Sequence, residues 1–135
     1  MFFKDEKNNN RLIKIAALLI HTAKIDEIYS DKEEKIIKKT LLELGAGKSE
    51  IDKIIEDATK LENDSNQILD FTKKVKSLKD KEKIKILETL WRIIYSNNEA
   101  DMYETSLMRR LEGLLYIDSK IMGDIKEKIK EENFK

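Results

Sequence analysis

From Arg11 onward, apolar residues recur at the three- and four-residue intervals of an α-helix, and no proline interrupts them. No segment alternates apolar and polar residues as a half-exposed strand does, so the chain is confined to helical architectures. Helix one is expected over residues 11–26, apolar almost all round and therefore central. Helix two carries Ile36, Ile37, Leu41 and Leu44 on one face, and Gly45 and Gly47 supply its stop. Helix three starts at Ser49 and presents Ile51, Ile54, Ile55, Ala58 and Leu61, ending in the turn Asn63-Asp64-Ser65-Asn66. Helix four spans about residues 66–77, with Ile68, Leu69, Phe71, Thr72 and Val75. Asp80 caps helix five, which reads Ile84, Ile86, Leu87, Leu90, Trp91, Ile93 and Ile94 until Asn97-Asn98 breaks it. Helix six carries Leu107, Met108, Leu111, Leu114 and Leu115; helix seven, begun by Asp118 or Ser119, carries Ile121, Met122, Ile125 and Ile129.

Connections of a few residues between seven such helices predict one all-α domain, a single compact bundle over residues 11–132. Residues 1–10 are polar apart from Phe2 and Phe3 and are expected to form a flexible N-terminal segment, with the two phenylalanines docking on the domain.

The chain repeats itself. Helices one and two match helices five and six at a constant offset of 71 residues. Ile13 falls on Ile84, Ile15 on Ile86, Leu19 on Leu90, Ile20 on Trp91 and Ala23 on Ile94; beyond the break, Ser30 falls on Asp101, Glu33 on Glu104 and Ile36 on Leu107. Both breaks end in a capping box, Ser30-Asp31-Lys32-Glu33 and Asp101-Met102-Tyr103-Glu104, in which cap oxygen and carboxylate reciprocally satisfy free backbone N–H groups. Two pseudo-repeated helix-loop-helix halves predict two equivalent loops lying close together.

Composition narrows the function. Without Cys there is no disulfide framework, thiolate metal site or cysteine nucleophile. The 27 basic residues equal the 27 acidic ones, so nucleic acid is not the expected partner. The stretch Leu12–Ile25 is interrupted by Lys14, His21 and Lys24, too short to span a bilayer, and its uninterrupted part Ile15–Ile20 is shorter than a signal-peptide core. A cytoplasmic protein without a transmembrane segment is expected. Gly45-Ala46-Gly47-Lys48-Ser49 echoes a phosphate loop but lacks its first glycine and follows a helix, not a strand.

Ala16-Ala17-Leu18-Leu19, then Ala23-Lys24-Ile25-Asp26 and a capped, Glu-bearing helix, resemble the first half of the TerB (tellurite-resistance) family. Leu69-Asp70-Phe71-Thr72 resembles its middle helix, and Leu87-Glu88-Thr89-Leu90-Trp91 with Tyr95-Ser96-Asn97-Asn98-Glu99 its second half. The resemblance runs from about residue 11 to 130, and small stand-alone bacterial members are the most alike. It implies an all-helical fold of two related halves, a stress-linked role, an acidic metal-binding surface and no established catalysis. In the family each loop reads Ala-Asp-Gly-x-apolar-x-x-x-Glu. Here Glu27 stands where Gly is usual, and Asn97 and Asn98 replace Asp and Gly in the second copy, removing a negative charge.

The candidate metal ligands are therefore Asp26 and Glu33 from the first loop and Asn97, Glu99, Asp101 and Glu104 from the second. Hard cations such as Ca²⁺ or Mg²⁺ require several oxygen ligands, which two adjacent loops can pool. Asp26 and Glu27 also sit near the C-terminal end of helix one, where the macrodipole disfavours negative charge. Against this, Ser30, Glu33, Asp101 and Glu104 already serve as caps. Neither loop is an EF-hand, because Ile37 and Met108 stand where the twelfth-position Glu belongs. His21, the only histidine, has no helical ligand partner and is expected to be structural and partly buried. Trp91, Tyr95 and the other aromatics fall at helical spacing and are expected in the core. The segment Lys73–Lys85 gathers Lys73, Lys74, Lys76, Lys79, Lys81, Lys83 and Lys85 against Asp80 and Glu82, a solvated face or a contact for an anionic partner or membrane surface. The expected function is a non-enzymatic binding or scaffold module with a protein partner, regulated by a divalent cation. The alternatives are a metal-dependent enzyme using the same carboxylates and a metal-free protein-interaction domain. Only the enzyme predicts carboxylates converging in a concave pocket.

Overall fold

The computed structural model describes the backbone of residues 2–24, 31–64, 69–96 and 102–133, and the side chains of residues 9–24, 31–64, 69–96 and 105–132. Those residues form seven helices and no strand: α1 Phe2–Ala23, α2 Asp31–Glu43, α3 Ile51–Asp64, α4 Leu69–Lys76, α5 Asp80–Tyr95, α6 Met102–Leu114 and α7 Ser119–Asn133. The core follows the faces expected from the helical period except at Leu69, Ile84 and Ile121, which are 39%, 38% and 45% exposed. On α1, Leu12, Leu18, Leu19 and Ile20 are entirely buried; on α5, Ile86, Leu87, Leu90 and Ile94 are. Each such side chain contributes about 1.5–3 kcal/mol on burial. α1 packs against α2, α3, α4 and α5, and α5 against α2 and α7 as well. The two central helices are thus the pseudo-equivalent ones.

Three boundaries differ from expectation. α1 starts at Phe2 rather than Arg11, so residues assigned to an N-terminal segment continue the helix. No Gly or Pro stands there to stop it, and Asp5 and Glu6 place negative charge toward its positive N-terminal end. α3 continues through Asn63 and Asp64, which had read as part of a turn. Asp80 does not cap α5: the N-cap is Lys79, with extended backbone (φ −67°, ψ 152°) and no side-chain cap bond, and Asp80 acts only as first-turn negative charge. The α7 cap is settled in favour of Asp118, whose Oδ1 accepts the Lys120 N–H at 2.7 Å.

The repeat is longer than helix pairs. At the offset of 71, Ile51, Ile54 and Ala58 of α3 fall on Met122, Ile125 and Ile129 of α7, and all six are buried. α1 packs most extensively on α3 and α5 on α7, so the repeated unit has three helices and α4 is the linker. Arg11 and Glu82, themselves separated by 71, form an ion pair, as equivalent residues do where two copies meet at the axis relating them.

Helix ends repeat too. Gly45 has φ 110°, its N–H donates to Leu42 O at 3.1 Å, and the Ala46 N–H donates to Leu41 O at 2.9 Å. This is a Schellman stop. Residues 116 and 117 build the same stop on α6, with Tyr116 N–H to Gly113 O at 3.3 Å and Ile117 N–H to Glu112 O at 3.0 Å. Its left-handed position (φ 55°) holds Tyr116 in place of glycine.

Candidate functional site

Asp26, Asn97, Glu99 and Asp101 lie outside the described residues, as does the side chain of Glu104, so one candidate ligand can be placed. Glu33 is in the first turn of α2 and only 3% exposed. The positive end of the helix favours its carboxylate there. The partner that the capping box assigns to it, the Ser30 N–H, lies outside the described residues. Among the described residues no three acidic or histidine side chains cluster as a metal site requires.

The ends of the two loops do meet. The Lys32 ammonium, at the start of α2, donates to Ser96 O at the end of α5 across 2.8 Å. It thereby satisfies a carbonyl left over at the α5 terminus, where the dipole favours a cation. The first loop ends beside Lys32 and the second begins after Ser96, so one side chain ties them together. Below lies a groove of about 200 Å³, lined by Lys32, Ile36, Arg92, Ser96, Ile129 and Glu132. Arg92 closes one side by pairing with Glu132, Nε to Oε2 at 3.1 Å and Nη2 to Oε1 at 3.3 Å. That hydrogen bond holds the Glu132 carboxyl below its ordinary value and raises Arg92 above its own. Burial pushes the neighbouring Tyr95 phenol up, with the Glu127 charge adding to it.

The lysine segment separates into two parts. Lys85 pairs with Glu43 at 2.6 Å, and Arg11 takes up Glu82. None of Lys73, Lys74, Lys76, Lys79, Lys81 and Lys83 makes an ion pair with a described residue. Lys73, Lys76, Lys79 and Lys81 are exposed and Lys74 is half-buried.

His21 is half-buried, and its Nδ1 lies 3.3 Å from Glu62 Oε1, while Lys24 Nζ reaches Glu62 Oε2 at 2.9 Å. The imidazole ties α1 to α3, as a structural residue would. Trp91 is in the core, its Nε1–H directed at Met122 Sδ at 3.4 Å and its ring stacked on Tyr95 at 5.8 Å. Tyr116 corrects the expectation that the aromatics are core: it is 77% exposed. The signal was present in the sequence, since the offset of 71 sets Tyr116 on the stop glycine Gly45.

The geometry defines a duplicated three-helix module whose paired interhelical loops are held together at their ends. A family model described as tellurite resistance protein TerB matches residues 12–127, and the chain belongs to the TerB family. Comparison with curated proteins and with solved structures gave no match. No described helix is long and apolar enough to cross a membrane.

Proposed function

We propose that this TerB-family chain is a non-enzymatic, cytoplasmic binding module of a tellurite-type stress response, presenting its paired loops to a protein partner. The observation that carries this reading is the Lys32–Ser96 bond, which fixes the ends of both acidic loops beside a shared groove. At about 200 Å³ that groove is smaller than the roughly 300–1,000 Å³ of small-molecule sites, which favours a surface contact over an enclosed substrate.

In this reading a Ca²⁺ or Mg²⁺ ion held by Asp26, Glu33, Asn97, Glu99, Asp101 and Glu104 regulates the surface. The described residues fit such an ion only in part. Glu33 supplies one carboxylate, but the Lys32 ammonium stands beside the same loops, and a bound cation must work against it. Calorimetric titration of chelator-treated protein with each ion tests the idea. Binding heat and a raised melting temperature are expected, both lost in the Asp26→Ala, Glu104→Ala double variant. Lys32→Gln should tighten the ion while lowering the basal melting temperature. Absence of heat and of any melting shift overturns the cation role.

A further inference from the structure

A second surface is built by residues the loops do not involve. The start of α5 and the α6–α7 turn form a groove of about 250 Å³, lined by Asp80, Lys83, Ile84, Tyr116, Ile117, Asp118 and Ile121. Three of its apolar side chains face water: Tyr116 at 77% exposure, Ile121 at 45% and Ile84 at 38%. Large apolar groups clustered on a surface mark an interaction site more often than scattered ones do.

The molecule supplies its own control. At the offset of 71, the counterparts of Tyr116, Ile117, Asp118 and Ile121 are Gly45, Ala46, Gly47 and Glu50. The same helix stop and turn therefore form without an aromatic or a bulky aliphatic residue on the outside. Tyr116 moreover occupies a left-handed position that disfavours any Cβ by roughly 1–2 kcal/mol, and which glycine fills in the other copy. The fold does not ask for tyrosine here.

Charge says what the groove takes. Lys76 Nζ lies 3.9 Å from the centre of the Tyr116 ring, placing a cation over its face. Lys83 lines the groove; neither lysine, nor Lys79 just before α5, has an ion-pair partner among the described residues. Two carboxylates, Asp80 and Asp118, line the groove as well, but Asp118 caps α7, Glu82 is taken up by Arg11, and the three lysines outnumber them. We propose that this groove binds an acidic peptide segment of a partner protein, apolar side chains seated on Ile84, Tyr116 and Ile121 and carboxylates paired by Lys76, Lys79 and Lys83. An open groove with apolar walls suits a peptide side chain better than the flat headgroup layer of a membrane.

Selection of displayed random peptides on the immobilised full chain tests this. The peptides recovered should combine Asp or Glu with large apolar residues. Their affinity should fall at least about tenfold for Tyr116→Gly, the change expected at an aromatic anchor, and similarly for Lys76→Glu with Lys83→Glu. It should also weaken with added salt. Tyr116→Gly removes the ring at a position glycine prefers, so its melting temperature should stay close to or above that of the parent, separating lost binding from lost folding. Recovery of no peptide, recovery of basic or neutral peptides, or unchanged binding by Tyr116→Gly each overturns the proposal. So does binding of phosphatidylserine–phosphatidylcholine vesicles by a chain that retains no acidic peptide. Each outcome is independent of the loop titration, because Asp26 and Glu104 play no part in it.

Discussion

Ile20 and Trp91 occupy equivalent positions on α1 and α5, both buried, yet what lies around them differs. In the first copy Lys38 on α2 bridges to Glu34 at 3.8 Å and across to Asp52 on α3 at 3.1 Å. In the second copy the counterparts of Lys38 and Asp52 are Arg109 and Gly123. There a groove of about 190 Å³ opens over Trp91, Met108 and Met122, and a Cβ at Gly123 would meet nothing within 4 Å. With the Tyr116 surface, this places most of the exposed large apolar side chains on the second copy, against Leu42 alone on α1–α3 among the described residues. Duplication preserved the frame of α1–α3 in α5–α7, and the second copy spends its freedom on surface.

The strongest way to break that comparison is to truncate the two equivalent core residues. Trp91→Ala should destabilise by about 4 kcal/mol, since it empties a large space between α5 and α7 and removes the donor to Met122 Sδ. Ile20→Val removes one methylene and should cost about 1 kcal/mol. Urea unfolding of both variants checks this. If Trp91→Ala cost no more than Ile20→Val, the tryptophan would belong to the surface groove and not to the core.

Next in size are the helix stops, where the expected signs are opposite. Gly45→Tyr forces a side chain into the left-handed position and should cost about 1–2 kcal/mol. Tyr116→Gly relieves the same strain but gives up the Lys76 contact and gains unfolded-chain entropy, so it should fall within about 0.5 kcal/mol of the parent or above it. Thermal melts of the pair decide. Equal losses would mean that Tyr116 is held by the fold and not merely tolerated.

The sequence made the frame legible because period, caps and repeat all spoke for it. Leu19 and Leu90, or Ile36 and Leu107, identify their faces without knowledge of neighbours. The third helix of the repeat escaped notice because its matches are few and small: Ala58 on Ile129 resembles nothing until both are seen buried. Asp80 misled because an acid at the first helical position and one at the cap look alike in sequence, and only backbone angles tell them apart. The loop site was legible as composition alone. Which carboxylates converge is a matter of backbone path, and a contact that ties the loop ends, Lys32 to Ser96, joins a side chain to a main-chain carbonyl. Such a bond has no sequence signature, because every residue has a carbonyl. The pairing state of the lysines is hidden for a similar reason: Lys85 and Lys83 read alike, and among the described residues only the first meets an ion-pair partner, Glu43.

The smallest expected effect distinguishes the polar ties between the first and third helices of each copy. In the first, Glu62 is 12% exposed and accepts from both His21 and Lys24; in the second, Glu132 is 47% exposed and pairs with Arg92. Glu62→Gln should therefore cost more, about 1 kcal/mol, than Glu132→Gln at about 0.5 kcal/mol, because the more exposed pair is better screened. The Arg92 bond depresses the Glu132 carboxyl, so its contribution is complete above the ordinary carboxylate value and disappears as pH falls through the folded one. Glu43, depressed by Lys85, behaves the same way. Melting temperatures of the Glu132→Gln variant and the parent should differ at neutral pH and converge in acid below the ordinary glutamate range. A difference that persisted at acid pH would show that the side chain stabilises α7 through packing and not through its charge.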